Sequence, residues 1–362
     1  MMVHRVDEIV LRRLQLPLIR PYRLSYRTFT EFEPILVHVR SSSGLEGWGE
    51  GHISPGSSSE TREGGWRFCQ ESAGKIIGQD ARTAARVLAE SVSASKVAAT
   101  AMVTAIEMMQ GEPALRVEAP VAFPLVTPFH GLNRGELESE AESLLAQGFR
   151  TFKIKVGNDA DGDLARVKAI QKAVCGRAKL RIDANRGYSR DDGCRFAASL
   201  NPEGIELFEQ PCAAEDWESN AAVAAVSAVP LMLDEPICDI SDIARAGEID
   251  GVGYCKLKLK RFGGLQKLRE ALTRVRECGM QPVLGDGLSA EIHCWMEACA
   301  SVGLVTTAGE FNGFLKPSVR LFINPLPFSS GRIELPAGFR PEVDLDVVER
   351  HTIARERFSV HA

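Results

Sequence analysis

The chain has 362 residues, of which 44% are hydrophobic and 25% charged, and its formal net charge is −5. A domain-size prior of ~150 residues predicts about two domains, and the composition is that of an ordinary globular protein. The mild negative charge argues against nucleic acid and against an anionic membrane surface as partners. Since no apolar run is long enough to cross a bilayer and no secretory signal opens the chain, we expect a cytoplasmic protein.

The nine cysteines and seven histidines do not form a pattern that indicates chemistry. An odd number of cysteines, at irregular spacing and without a C-x-x-C pair, predicts reduced thiols that pack as small hydrophobic side chains. The histidines do not cluster, so zinc is not expected. His293 is predicted to lie on a helix surface rather than to act as a general base.

The first third of the chain predicts a small α+β domain. Strand-forming residues concentrate at 9–11, 35–39 and 48–50. Alanine-rich sequence follows, and residues 96–109 predict a helix. Because strands that precede helices favour an α+β arrangement, residues 1–118 are predicted to form an N-terminal α+β domain.

After this domain the pattern changes to alternating strands and helices, which predicts an α/β arrangement. Eight βα units fit a closed parallel (β/α)8 barrel of the TIM type, over residues 119–319. The Pro-rich residues 320–362 are predicted to return to the N-terminal domain, because a closed barrel offers no free edge. The predicted strands are 121–126, 151–156, 179–183, 205–209, 231–234, 252–258, 280–285 and 304–307. The clearest predicted helices are 135–147, 161–173, 190–199 and 265–278.

Two Lys-x-Lys triplets and three carboxylates recur at the predicted strand ends. The residues are Lys153, Lys155, Asp183, Glu209, Asp234, Lys256 and Lys258. From Lys155 to Lys258 the successive spacings are 28, 26, 25 and 24 residues, which suits one strand, one helix and two loops. Side chains two residues apart on a strand point the same way, and catalytic residues of such barrels lie at the carboxyl ends of strands. These charged groups are therefore expected to line one cavity.

Three carboxylates without an accompanying histidine or thiolate favour a hard cation. Mg²⁺ prefers oxygen ligands and keeps positions open for water or substrate. We therefore predict a single Mg²⁺ in each subunit, with Mn²⁺ as an alternative. A metal-bound carboxylate could hold the second negative charge that forms when an α-proton leaves, and a lysine amine could take that proton. The predicted reaction class is proton abstraction α to a carboxylate.

This constellation resembles the enolase superfamily, in particular its muconate-lactonizing-enzyme-like subgroup, along essentially the whole chain. The resemblance implies a modified (β/α)8 barrel, an N-terminal α+β capping domain and Mg²⁺. It assigns the acid and base to Lys155 and Lys258, on opposite faces of the substrate. Lys258 is preferred to its neighbours because Gly263-Gly264 follows it by five residues, as in the family. The implied metal ligands are Asp183, Glu209 and Asp234, with Asn185 in support.

Within the superfamily, three segments are most similar to cis-3-hydroxy-L-proline dehydratases. They are residues 255–264, 285–287 and 310–315. The resemblance implies a homo-oligomeric hydro-lyase that converts cis-3-hydroxy-L-proline to Δ1-pyrroline-2-carboxylate, and so a small amino- or imino-acid substrate. Substrate-binding or supporting roles are predicted for Lys153, Asp286 and Glu310. Residues 20–29 and 52–59 are expected to form loops that cap the site and set specificity.

Two other functions remain open. A racemase or epimerase of proline-type, N-acyl or dipeptide substrates, or a cycloisomerase, would use the same two lysines. Dipeptide epimerases usually carry paired aspartates after the eighth strand, where this chain has Gly309-Glu310-Phe311-Asn312. The second is a non-catalytic binding protein, which the presence of competent residue types at all five key positions argues against.

Overall fold

The structure is a computed structural model that describes residues 4–23, 27–56, 58–285 and 287–360. Asp286, one of the predicted substrate-binding residues, lies outside the described residues, as do 24–26 and 57 in the two predicted capping loops. Within those described ranges, no helix is both long and apolar enough to cross a membrane.

Strands and helices follow one another in the predicted order: strands first, then three helices, then an alternation of the two. The strands of the described residues are β1 (Val6–Leu14), β2 (Leu16–Arg23), β3 (Thr28–Phe32), β4 (Ile35–Ser41), β5 (Glu46–Gly51), β6 (Val121–Pro124), β7 (Thr127–Phe129), β8 (Thr151–Lys155), β9 (Lys179–Asp183), β10 (Ile205–Glu209), β11 (Leu231–Leu233), β12 (Val252–Leu257), β13 (Gln281–Leu284), β14 (Phe328–Ser329), β15 (Arg332–Leu335) and β16 (Thr352–Ser359). The α-helices are α1 (Arg62–Ile76), α2 (Ala81–Ser91), α3 (Lys96–Met109), α4 (Arg134–Ala146), α5 (Ala160–Val174), α6 (Arg190–Ser199), α7 (Trp217–Val226), α8 (Ile240–Gly247), α9 (Leu259–Phe262), α10 (Leu265–Glu277), α11 (Glu291–Ser301) and α12 (Leu345–Arg350).

An antiparallel sheet with the order β16-β1-β4-β5 forms the base of the N-terminal domain. The predicted strands and the predicted helix at 96–109 are confirmed as β1, β4, β5 and α3. Strand β16 comes from the C-terminal part of the chain and pairs along β1, from Glu8↔Ser359 to Leu14↔Thr352. The chain therefore does return to the first sheet, while the domain limits at 1–118 and 320–362 stay a prediction.

Helix α3 lies directly on strand β5 because glycines alternate along that strand. A Cβ on Gly47 would lie 2.0 Å from the carbonyl oxygen of Ala105, and one on Gly49 would lie 1.9 Å from that of Ala101. Helix α3 is alanine-rich and buried along almost its whole length. The backbones of strand and helix are thus in direct contact, at a spacing that no side chain on this face of β5 would permit.

We expect Gly49→Ala to destabilise the protein by at least about 2 kcal/mol, because the added methyl group overpacks the contact between α3 and β5. Gly74→Ala is the matched control, since a Cβ there meets nothing within 4 Å on the exposed side of α1. That control should be neutral or up to about 1 kcal/mol more stable. Urea unfolding of the two variants measures both effects. Equal midpoints would show that α3 does not pack on β5 in this way.

In the described part of the chain, seven parallel strands curl into a barrel in the order β13-β12-β11-β10-β9-β8-β7. Six of the predicted barrel strands, from 151–156 to 280–285, are confirmed as β8 to β13. The predicted α/β barrel with an N-terminal α+β capping domain is thus the fold of this chain.

The first and eighth predicted barrel strands are wrong in their placement. Residues 121–124 form β6, which pairs with β15 in a separate antiparallel sheet, and β7 takes the first barrel position. Residues 304–307 form no strand. The gap is instead closed by residues 309–310, where the N–H of Gly309 donates to Pro124 O and the N–H of Glu310 donates to Leu284 O, each at 2.8 Å. A short apolar run indicates an extended segment but not its partner, because strand pairing depends on distant residues.

The predicted loop over residues 20–29 is wrong at both ends. Strands β2 and β3 form an antiparallel hairpin in which Tyr22 pairs with Phe29. Prolines at positions 17 and 21 weaken the strand signal of β2, although proline is tolerated on edge strands such as these.

The capping domain contacts the barrel through acidic side chains at helix starts. Glu107 of α3 accepts hydrogen bonds from the N–H groups of Leu265 at 2.8 Å and Gln266 at 3.3 Å, the first residues of α10. Glu50 of β5 makes equivalent contacts at the start of α11. The first N–H groups of a helix have no partner within the helix and favour negative charge. These two carboxylates therefore join the domains.

We expect Glu107→Gln to flatten the pH dependence of stability. Burial raises the pKa of Glu107 to about 7. The protonated form is thus favoured in the folded state, and its stabilising contribution is complete below the ordinary value of 4.5 and lost as pH rises through about 7. Between pH 4.5 and about 7, the free energy of unfolding of the wild type should fall by about 3 kcal/mol at most relative to that of the glutamine variant. Urea unfolding at several pH values tests this, and parallel stability curves would contradict it.

Candidate active site

The five key residues predicted from spacing meet at the carboxyl ends of adjacent barrel strands. Lys155, Asp183 and Glu209 are the last residues of β8, β9 and β10, whereas Asp234 and Lys258 directly follow β11 and β12. Parallel strands end at the same edge of a barrel, so the five side chains share one mouth. The five side chains thus lie together as predicted from their spacing, and their chemical roles stay predictions.

The two strand-end lysines lie on opposite walls of this mouth. Strands β8 and β12 are four positions apart, and the three carboxylate-bearing strands lie between them. Lys155 Nζ lies 2.5 Å from Asp183 Oδ2, whereas Lys258 Nζ lies 2.9 Å from Asp234 Oδ1. Burial alone would raise the pKa of Asp234, but the cations of Lys258 and Arg261 outweigh it and hold this pKa well below its usual value.

A second layer of charge lies deeper inside the barrel. Lys153 Nζ is 2.6 Å from Glu209 Oε2, 2.9 Å from Asp183 Oδ2 and 3.0 Å from Glu310 Oε2. Lys256 Nζ is 2.5 Å from Glu310 Oε2. Burial favours the neutral form of Glu310, yet the two lysines hold the pKa of this carboxyl well below its usual range. Glu310 is thus engaged by interior lysines, and its predicted contact with substrate stays a prediction.

Arg181 completes the deeper layer and was missed by sequence reasoning. Its fully buried guanidinium donates to Glu206 Oε2 at 2.6 Å and to the carbonyl of Ala308 at 2.9 Å. One of its nitrogens lies 3.8 Å from Glu310 Oε1. A signal existed, because Arg181 precedes Asp183 by two residues on one strand and must share its face.

Asn185 links the end of β9 to the lysine beside it. Its N–H donates to Asp183 Oδ1 at 2.8 Å, and its side-chain oxygen accepts a short hydrogen bond from Lys155. The residue has a positive φ of 44°, a conformation that asparagine tolerates better than most residues. Asn185 therefore orients both the carboxylate and the lysine.

Glu209 is the site carboxylate that the protein satisfies least. It is fully buried, and among the residues that the structure describes neither of its oxygens meets the geometry of a hydrogen bond, although Lys153 Nζ forms an ion pair with one of them at 2.6 Å. Burial and the neighbouring charge of Asp183 raise the pKa of Glu209 to about 7. A buried carboxylate without hydrogen bonds is costly unless a cation compensates it.

The donor types at this mouth fit a hard divalent cation such as Mg²⁺. Asp183, Glu209 and Asp234 offer only carboxylate oxygens, from three successive strand ends. Among the residues that the structure describes, however, no three acidic, histidine or cysteine side chains converge as a finished metal site. Each of the three carboxylates faces a lysine or arginine instead, so metal binding would require them to turn toward the centre of the mouth.

A cavity of 340 Å³, whose lining includes Asp183 and Asp234, opens between the barrel and the capping domain. Its described lining residues include nine lysines and arginines but only five acids. Among the cations, Lys316 donates to Asn312 Oδ1 at 3.0 Å and lies over the ring of Tyr22. The cavity therefore suits a small substrate that carries negative charge.

His293 is buried rather than on a helix surface, so its predicted position is wrong. Only 3% of its surface is exposed, and every residue of α11 is buried. Helix α11 is covered by the capping domain at its start, and Glu291 accepts hydrogen bonds from the later segment at Leu321 and Leu326. The burial of α11 by two separate parts of the chain depends on the tertiary structure and has no local signal in the sequence.

A capped parallel barrel with this charged mouth defines an α/β barrel enzyme of the enolase type. Residues 136–341 match the family model of the enolase C-terminal domain-like proteins, and residues 8–112 match that of the mandelate racemase / muconate lactonizing enzyme N-terminal domain. The chain therefore belongs to the mandelate racemase / muconate lactonizing enzyme family of the enolase superfamily.

Several family members resemble the chain along most of their length. The L-Lys-D/L-Arg epimerase of Methylococcus capsulatus is 27% identical and aligns with 89% of this chain and 98% of its own. Muconate cycloisomerase 1 of Rhodococcus opacus is 28% identical, over 94% and 96% respectively. A dipeptide epimerase from Cytophaga hutchinsonii, solved in complex with Mg and D-Ala-L-Val, shares the fold with a TM-score of 0.87 at 20% identity, over 98% of this chain and 100% of that one.

Proposed function

We propose that this protein is a metal-dependent racemase or epimerase, which moves the α-proton of a small amino-acid carboxylate. The observation that carries this proposal is the placement of Lys155 and Lys258 on opposite walls, with three carboxylates on the strands between them. Relatives that are epimerases support a reaction of this class more than the elimination expected from sequence.

In the proposed reaction the two lysines act on opposite faces of the α-carbon. The lysine on one wall, as its amine, takes the α-proton, and the ammonium group on the other wall returns a proton to the opposite face. The configuration inverts and no atom is lost.

The three strand-end carboxylates would hold the metal ion, with Asn185 orienting Asp183. When bound, Mg²⁺ would supply positive charge for the substrate carboxylate and for the additional negative charge that develops as the α-proton leaves. Lys153 and Lys256, in the deeper layer, would hold Glu209 and Glu310 in position beneath the reacting groups.

Proton NMR in D₂O with Mg²⁺ tests the proposed class of reaction. The substrates are L-proline, N-succinyl amino acids, a small dipeptide panel, and cis- and trans-3-hydroxy-L-proline. We expect one class of these substrates to lose its α-proton signal while the rest of the molecule stays intact. The optical rotation of that substrate should decay, or a diastereomer should appear. A protein that exchanges no α-proton in the whole panel would contradict the proposal.

Dehydration of cis-3-hydroxy-L-proline is a second candidate, favoured by the eighth barrel position. Glu310 is engaged by Lys153 and Lys256, and Asn312 occupies the place of a second acid. The paired aspartates that dipeptide epimerases usually carry after the eighth strand therefore have no counterpart in residues 309–312, which favours a more compact substrate.

The stereochemistry of this second substrate suits the two walls. In cis-3-hydroxy-L-proline the hydroxyl group shares a ring face with the carboxylate, and the α-hydrogen lies on the other face. One lysine could remove that hydrogen while the other protonates the departing hydroxyl group. Water leaves, and the enamine tautomerises to Δ1-pyrroline-2-carboxylate. In the same NMR experiment, growth of a cyclic imine would select this reaction over racemisation.

A further inference from the structure

The backbone that follows Lys258 is held by a carboxylate from another helix. Lys258 is the N-cap residue of the short helix α9, and its own side chain makes no capping hydrogen bond. Instead, Glu297 Oε1 of α11 accepts a hydrogen bond of 3.1 Å from the N–H of Leu259. Glu297 is fully buried, and neither the metal ligands nor the proton-transfer steps require it.

Helix α11, which carries Glu297, is itself tied to the capping domain. Glu50 of β5 accepts hydrogen bonds from the N–H groups of Ala290 at 2.5 Å and His293 at 3.1 Å. The His293 ring lies between the two domains, with Nδ1 at 3.3 Å from the carbonyl oxygen of Glu50 and Nε2 at 3.5 Å from Glu297 Oε1. A continuous set of contacts thus runs from the capping domain to the residue after Lys258.

The position of α9 determines where two cations meet Asp234. Lys258 Nζ lies 2.9 Å from Asp234 Oδ1, and Arg261 of α9 lies at the same distance from the same oxygen. A shift of α9 would therefore move the Lys258 amine relative to the carboxylate and to any substrate. The opposite wall has separate supports, because Lys155 contacts Asp183 and Asn185.

We propose that Glu297 is a positioning residue for Lys258, which acts through the N–H of Leu259 and connects the catalytic wall to the capping domain through His293 and Glu50. This inference rests on the proposed function, in which Lys258 serves one face of the substrate. It predicts that loss of Glu297 impairs only the proton transfer that depends on Lys258.

The test compares Glu297→Leu, which removes the acceptor, with Glu297→Gln, which keeps an oxygen at that position. Ser301→Ala is the matched control, since it removes a buried hydrogen bond on the same helix, from Ser301 Oγ to the carbonyl of Glu297. Exchange of the α-proton into D₂O is measured separately for each antipode of the substrate. A Lys258→Ala variant first identifies which antipode depends on that wall.

For Glu297→Leu we expect exchange of the Lys258-dependent antipode to fall by about 10²-fold, because small misplacements of a reacting group have effects of that size. The other antipode should keep its wild-type rate, and Glu297→Gln and Ser301→Ala should keep both. Equal losses for both antipodes in Glu297→Leu, or no loss for either, would overturn the inference.

Amide hydrogen exchange provides a readout that needs no substrate. In Glu297→Leu the amide of Leu259 should exchange about tenfold faster than in wild type or Glu297→Gln, because its hydrogen bond is lost. Unchanged protection at this amide would also overturn the inference. A wild-type protein without α-proton exchange on any substrate refutes the proposed function instead, and the amide result then decides the positioning role by itself.

Discussion

Replacing Lys155 with alanine should lower racemisation or epimerisation by on the order of 10³-fold, because a positioned acid–base group contributes about 10²–10⁴-fold. Exchange of the α-proton should be lost for only one of the two antipodes of the substrate. One antipode should no longer exchange its α-proton with D₂O, while the other still loses its proton to Lys258 on the opposite wall. Lys258→Ala should give the mirror-image result, since the two lysines lie four strand positions apart.

The control for this experiment is Lys168→Ala, which removes an exposed lysine on α5. Lys155 is itself about half-exposed, with 45% of its side-chain surface accessible, so its removal should leave the fold intact. The measurement is α-proton NMR in D₂O for each separate antipode. If both antipodes lose exchange equally in each single variant, the two lysines do not divide the faces of the substrate and a two-base mechanism is wrong.

Replacing Glu209 with glutamine should abolish the response of the protein to Mg²⁺. The wild type should melt at a higher temperature as MgCl₂ is added, because a ligand that binds only the folded state stabilises it. The variant should show no such rise. Its turnover should fall by on the order of 10³-fold, since charge stabilisation by a metal ion supplies several kcal/mol. Isothermal titration calorimetry measures the loss of binding directly.

Metal affinity of the wild type should also depend on pH. Burial raises the pKa of Glu209 to about 7, so at lower pH a proton competes with the metal for this carboxylate. Affinity should then fall by about tenfold for each pH unit below 7.

The matched control for the Glu209→Gln variant is Glu203→Gln, which replaces an exposed acid just before the same strand β10. A metal response that survives in Glu209→Gln would exclude Glu209 as a ligand.

The periodic placement of charged residues could be interpreted without any structure. Strand side chains alternate with a period of two, and a βα unit has a narrow range of lengths, so spacings of 28, 26, 25 and 24 residues already imply a shared mouth. The same local rules predicted α3 at residues 96–109 and β8 to β13, because burial and propensity agree along those segments.

Strand partners and buried charge contacts could not be predicted in this way. Nothing local shows that residues 309–310 close the barrel in place of 304–307, because that choice depends on hydrogen bonds to Pro124 and Leu284. The substrate could not be predicted either. Motifs around the site suggested a dehydratase, whereas several relatives are epimerases, because such motifs are shared across the scaffold and do not specify the substrate.

The regular spacing of strands, helices and charged residues is enough to predict the class of fold and a common mouth for the acids and lysines, and the motifs at the strand ends carry the resemblance to the family. The tertiary structure sets how those charges are paired. It placed Arg181 and Lys256 around Glu310, and it brought Glu297 of α11 to the N–H beside Lys258. These contacts join residues far apart in the chain, and their energies depend on distance and burial, which no local pattern encodes.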